Sequence, residues 1–168
     1  MKTLSWIAVG LLMAVATVPA TAADWKADYA KHWTVSKEFT MAVASAMPAE
    51  DYGFKPNPEE MSFGEVMVHI VQADMFYLGR VANMKALDKP AATDKDATLK
   101  FMAAAFDFCD QALSKINNEM LDSSYGKAPN QMTGKESLWS GFTHMAHHRG
   151  QAEVYLRLKG IKPPAYRF

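Results

Sequence analysis

The fold this sequence predicts is all-α, a four-helix bundle with long inter-helix connections. Three observations carry that reading. Apolar residues recur three and four positions apart along four separate stretches, the spacing that lines one face of a helix. Two of those stretches open on Ser62-Phe63-Gly64-Glu65 and Thr133-Gly134-Lys135-Glu136, the pattern of a capping box. No stretch reads as a credible strand. Four amphipathic helices of similar length bury their stripes most simply against one another. A chain of 168 residues with 49% hydrophobic content is enough for one such core and gives no sign of a second domain.

The chain opens with Met1-Lys2-Thr3, an apolar run from Leu4 to Val18, and then Pro19-Ala20-Thr21-Ala22-Ala23, with small residues where a signal peptidase cuts. Residues 1–22 are therefore expected to be a signal peptide and residues 23–168 the bundle domain. The run is short for a membrane span, so the expected product is exported, periplasmic or secreted, and soluble without stable membrane insertion. A single cysteine, Cys109, excludes an internal disulfide.

The first helix is expected from Asp24 to about Met47, where Trp25, Tyr29, His32, Ser36, Phe39 and Val43 share a stripe and Pro48 closes the segment. A long connection with Pro48, Gly53, Pro56 and Pro58 follows, and its Tyr52 and Phe54 are expected to fold back onto the bundle. The second helix starts at the Ser62 capping box, with Val66, His69, Ala73, Phe76 and Arg80 as its inward stripe. The third, from about Asp94 to Asn118, aligns Leu99, Met102, Phe106, Cys109, Leu113 and Ile116, which places the thiol among core side chains. A loop rich in Ser, Gly and Pro then leads to the last helix, from about Gly134 to Lys159, stopped by Gly160 and Pro163-Pro164.

Formal charge sums to zero and no basic run or stripe exists, so nucleic acid is not an expected partner. The chemistry concentrates in Thr143-His144-Met145-Ala146-His147-His148-Arg149-Gly150-Gln151, which holds three of the five histidines. His144 and His148, four apart on a helix, present both imidazoles on one face, close enough to grip one ion. The zinc-protease motif would place a Glu between them, and none is present. If the second and last helices are neighbours, His69 joins the pair. Three histidines would then leave a coordination position open, as catalytic zinc sites do.

Phe54-Lys55-Pro56, Ser62-Phe63-Gly64-Glu65 through His69, and His144-x-x-x-His148-Arg149-Gly150-Gln151 with the later Tyr155-Leu156-Arg157-x-x-Gly160 resemble the DinB-like (DinB/YfiT) superfamily over essentially the whole expected mature chain. The resemblance implies a four-helix bundle holding a divalent metal, zinc or nickel in members with iron a further option, on His69, His144 and His148. Some relatives are S-transferases that use a small cytoplasmic thiol, a pool an exported chain does not meet.

Gln151 and Arg149 are the candidates for supporting the histidine ligands from behind. Gln151 shares the face of His144 and His148 and is placed to orient an imidazole. Arg149 has Glu153 four residues on, and is placed for a surface pair, a tie to a neighbouring helix or a contact to an anionic substrate. Glu65 reads as a capping residue, His32 as a possible extra ligand on the first helix, and Tyr155 as a core tyrosine on the histidine stripe. The catalytic group is unassigned.

The function expected is that of a metal-dependent hydrolase or group transferase acting on a small-molecule substrate. The alternative is a non-catalytic metal- or haem-binding bundle. A di-iron centre is excluded because it needs inward Glu-x-x-His motifs on two helices. A homodimer is left open.

Overall fold

The computed structural model describes residues 24–167. The expected signal segment, residues 1–22, lies outside them. Four long helices make the body: α1 (Trp25–Ala46), α2 (Phe63–Ala82), α3 (Lys95–Lys115) and, after a short α4 (Asn118–Asp122), α5 (Gly134–Leu158). Two-residue strands β1 (Ser124–Tyr125) and β2 (Met132–Thr133) pair antiparallel just before α5. The ribbon corrects the expectation of no strands and of a plain loop over residues 122–130, and α3 ends at Lys115, with α4 a separate turn of helix, where one helix was expected to run to about Asn118. The ribbon and α4 are too short to leave a periodic signal. Among the described residues no helix is long and apolar enough to cross a membrane.

Local chemistry sets the helix starts. Asp24 and Asp94 accept hydrogen bonds from the first backbone N–H groups of α1 and α3, and both expected capping boxes form at Ser62 and Thr133. The helix ends are tied by tertiary contacts. Lys95 Nζ, at the start of α3, donates to the Ser45 and Met47 carbonyls at the end of α1, at 2.9 and 2.8 Å.

The helix order follows from which residues meet. Trp33 Nε1 donates to Asp110 Oδ1 and Lys26 Nζ to the Ile116 carbonyl, so α1 and α3 run antiparallel. Tyr29 hydroxyl donates to the Leu138 carbonyl and Arg149 to Ser36, so α1 and α5 run parallel. Ser137 hydroxyl donates to the Tyr77 carbonyl and Tyr155 hydroxyl to the Met61 carbonyl, so α2 and α5 are antiparallel neighbours. Gly64 lies against Thr93 and Gly79 against Phe108, so α2 and α3 run parallel. The connection between α2 and α3 must therefore return along the bundle. It does so against the start of α2, where a Cβ on Gly64 would sit 2.0 Å from the Thr93 carbonyl oxygen.

The core is continuous, with Trp33, Phe39, Phe63, Met67, Ile70, Met102, Phe106 and Leu156 among its buried side chains. Cys109 is in it, as the α3 stripe predicts. Tyr52 also folds back as expected, its hydroxyl donating to the Ala44 carbonyl at 2.8 Å. The stripe expected on α2 needs correction. Phe76 is 57% exposed, whereas Met67, Ile70, Val71, Asp74 and Leu78 are buried. Packed between α3 and α5, α2 buries most of its circumference, so no single stripe on it is dictated by sequence spacing.

Candidate metal centre

His69 on α2 meets His144 and His148 on α5 because these helices approach closely. Gly141, one turn before His144, makes room: a Cβ there would lie 3.1 Å from the Tyr77 Cβ. His69 Nε2 lies 3.1 Å from His144 Nε2 and 3.2 Å from His148 Nε2, and one ligand atom from each of the three rings lies within 4.8 Å of the others. Tetrahedral zinc with metal–nitrogen bonds of about 2.0–2.1 Å requires nitrogens roughly 3.3 Å apart. The spacing fits a shared ion. The three histidines sequence spacing singled out are thus brought together and positioned to bind a metal ion.

Electrostatics prepare the rings for that role. Burial, reinforced by His148, His69 and His147, lowers the His144 pKa to about 4, and burial followed by His148 lowers that of His69. Both imidazoles are therefore neutral at pH 7, the form that ligates.

Gln151 contacts the ring of His148. Its Oε1 lies 2.6 Å from His148 Nδ1, which places the proton on Nδ1 and leaves the Nε2 lone pair directed at the other rings. Its Nε2 reaches His147 Nε2 at 3.3 Å, giving that exposed histidine a contact sequence reading did not anticipate.

Arg149 faces elsewhere. It is buried on the α1 side of α5, its Nη1 donating to the Ser36 carbonyl, Ser36 Oγ and Thr40 Oγ1 at 3.2, 2.6 and 3.2 Å. Its guanidinium carbon lies 4.5 Å from the Phe39 ring centroid. Of the roles open to it in sequence, the structure gives it the tie to a neighbouring helix. The reason is angular: at 100° per residue, Arg149 points more than a quarter-turn away from His148. The expected Glu153 pairing is instead to Arg157, at 3.6 Å.

Glu65 is engaged in its cap, accepting from Ser62 N–H at 2.6 Å, and that backbone bond above all holds its pKa down. His32, on α1, lines the cavities between α1 and α5 and is not among the three grouped histidines. Tyr155 is buried on the core side.

One cavity opens at the triad and another beside Gln151. The first, of about 430 Å³, is lined by His69 with Met61, Glu65, Gln72, Lys89 and Thr93. The other, about 260 Å³, lies beside Gln151 and Tyr155 under Pro56 and Asn57. Lys89 and Thr93 come from the returning connection, and no local motif announces them.

The sequence pattern of the DinB family matches residues 18–168. The chain belongs to the DinB family. Solved structures agree on the fold. A DinB-like protein from Bacillus cereus is 21% identical with a TM-score of 0.72 over 83% of this chain and 95% of its own. One from Bacillus subtilis is 18% identical with a TM-score of 0.70 over 83% and 96%. Curated proteins give no match.

Proposed function

We propose that this DinB protein is a metal-dependent enzyme that hydrolyses, or transfers a group from, a small molecule. The observation that carries the reading is the convergence of three Nε2 atoms at metal-sharing distance beside a cavity of substrate size. His69, His144 and His148 would hold a divalent ion, zinc or nickel, leaving a position for substrate or water. Such an ion would supply Lewis acidity, polarising a substrate oxygen and making water nucleophilic near neutral pH.

The chain's own groups do the rest. Burial keeps His69 and His144 unprotonated, and Gln151 holds the His148 tautomer. Met61, just before α2, and Thr93 from the returning connection line the cavity beside His69. Export, read from residues 1–22, is part of this proposal and places the substrate outside the cytoplasm.

The test is elemental analysis of protein purified without chelator or nickel resin, beside the His148→Ala variant. Near-stoichiometric metal that is lost in a folded variant, followed by metal-dependent turnover in hydrolase and transferase screens, is the expected result. A folded protein that takes up no divalent ion would overturn it.

A further inference from the structure

On the opposite side of α5 from the histidines, α1 and α5 leave a cleft. Two cavities, of about 280 and 260 Å³, share His32 and Phe142 and so adjoin along it. For scale, a cavity of roughly 150 Å³ holds a benzene molecule. The outer half is walled by Trp25, Tyr29 and Trp139, with Tyr29 packed edge-on to Phe142 at 6.0 Å and Trp139 stacked on Phe142 at 6.0 Å. The inner half contains Arg149.

Arg149 is an unusual wall residue. It is only 7% exposed, yet no carboxylate lies within ion-pairing distance of it among the described residues. All its hydrogen bonds leave from Nη1, to neutral oxygens and more distantly to the Met145 sulfur; Nε and Nη2 have no partner among the described residues. Glu153, also on the wall, is paired with Arg157. The fully buried Asp74 carboxyl does not balance the charge, because desolvation outweighs the pull of Arg149 and pushes its pKa well up. Glu153 draws on the guanidinium only from beyond ion-pairing distance, and the planar fork of a buried guanidinium suits a carboxylate that can pair with it directly. At the cavity mouth Arg167 is paired with Glu38 at 3.9 Å, and Asp28 lies on the outer wall, so Arg149 is the cation the cleft offers a ligand.

We propose that the α1–α5 cleft binds a small carboxylate with an aromatic body, its carboxylate on the free edge of Arg149 and its ring against Phe142 and Tyr166. The site shares no lining residue with the histidine triad, so it stands independently of the metal reading.

Phenylacetate and its neutral analogue phenylacetamide are suitable probes, titrated into zinc-supplemented protein and followed by amide chemical shifts and tryptophan fluorescence. Saturable shifts confined to α1 and α5 around Arg149, with the amide at least about tenfold weaker, are expected. Ala146→Phe, which fills the cleft without touching the Arg149 hydrogen bonds, should abolish them. Arg149→Gln should weaken the acid about tenfold and leave the amide unchanged; if that variant does not fold, Ala146→Phe decides. Equal binding of acid and amide overturns the proposal. So do shifts centred on the histidines, persistence of binding in Ala146→Phe, or no saturable response to phenylacetate up to roughly 10 mM.

Discussion

At the scale of single residues, Gln151 and Asp74 illustrate opposite treatments of a polar group. Gln151 is placed so that both ends of its amide meet a ring nitrogen, and its contact to His148 Nδ1 is the one that matters for a ligand. Replacing Gln151 with Ala should leave the far-ultraviolet circular dichroism unchanged while weakening zinc binding about 10- to 100-fold, the usual loss when a ligand's outer partner is removed. Competition against a chelating dye measures it, and unaltered affinity would show that helix packing alone orients His148. Asp74 is fully buried, and neither carboxylate oxygen has a hydrogen-bond partner among the described residues. Its folded pKa is raised well above 3.8, chiefly by desolvation, so the folded state binds a proton that the unfolded chain releases. The stability this contributes is complete below the unfolded pKa and is lost as pH rises toward the folded one. Asp74→Asn should therefore gain on the wild type as pH rises above about 4, with a limiting slope of about 1.4 kcal/mol per pH unit. Urea unfolding at several pH values tests this, and a difference that does not vary with pH would refute it.

At the scale of elements, the α2–α5 pair carries the site and the connection before α3 completes it. The capping boxes at Ser62 and Thr133 start both site helices, and each is legible as four consecutive letters. The returning connection depends on Gly64, because a side chain there would collide with a backbone carbonyl rather than with a flexible group. Gly64→Ala should cost about 1–3 kcal/mol despite the better helix propensity of Ala. It should also disturb the cavity beside His69. Thermal melts together with the His69 ring resonances report both, and a variant as stable as the wild type would mean that residues 89–93 yield easily. The α2 stripe shows where sequence reading goes astray. A helix covered on two sides by α3 and α5 buries residues around most of its surface, so Asp74 could be buried and Phe76 exposed without any violation of helical spacing.

For the molecule as a whole, the three histidines act as a clasp between two antiparallel helices. They join residues 75 and 79 positions apart in the chain. An ion held there binds only the folded state, so zinc at about 100 times its Kd should add about 2.7 kcal/mol of stability. Scanning calorimetry with zinc and then with excess chelator checks this. The rise in Tm should vanish in His148→Ala, and an equal rise in that variant would place the ion elsewhere.

Spacing along the chain is enough to specify four helices, their caps, a buried Cys109 and the one-face alignment of His144 with His148, because each depends on neighbours within about one turn. Membership in the DinB family was also legible, in motifs that span the chain from Phe54 to Pro164. Which helices adjoin was not legible. Connections of a dozen or more residues permit several arrangements, and only packing selects the order in which α2 runs parallel to α3 and antiparallel to α5. That choice brings His69 to the other two histidines, sends Arg149 to Ser36 and Thr40, and buries Asp74. Each of these depends on contacts between residues far apart in the chain, where local spacing exerts no constraint.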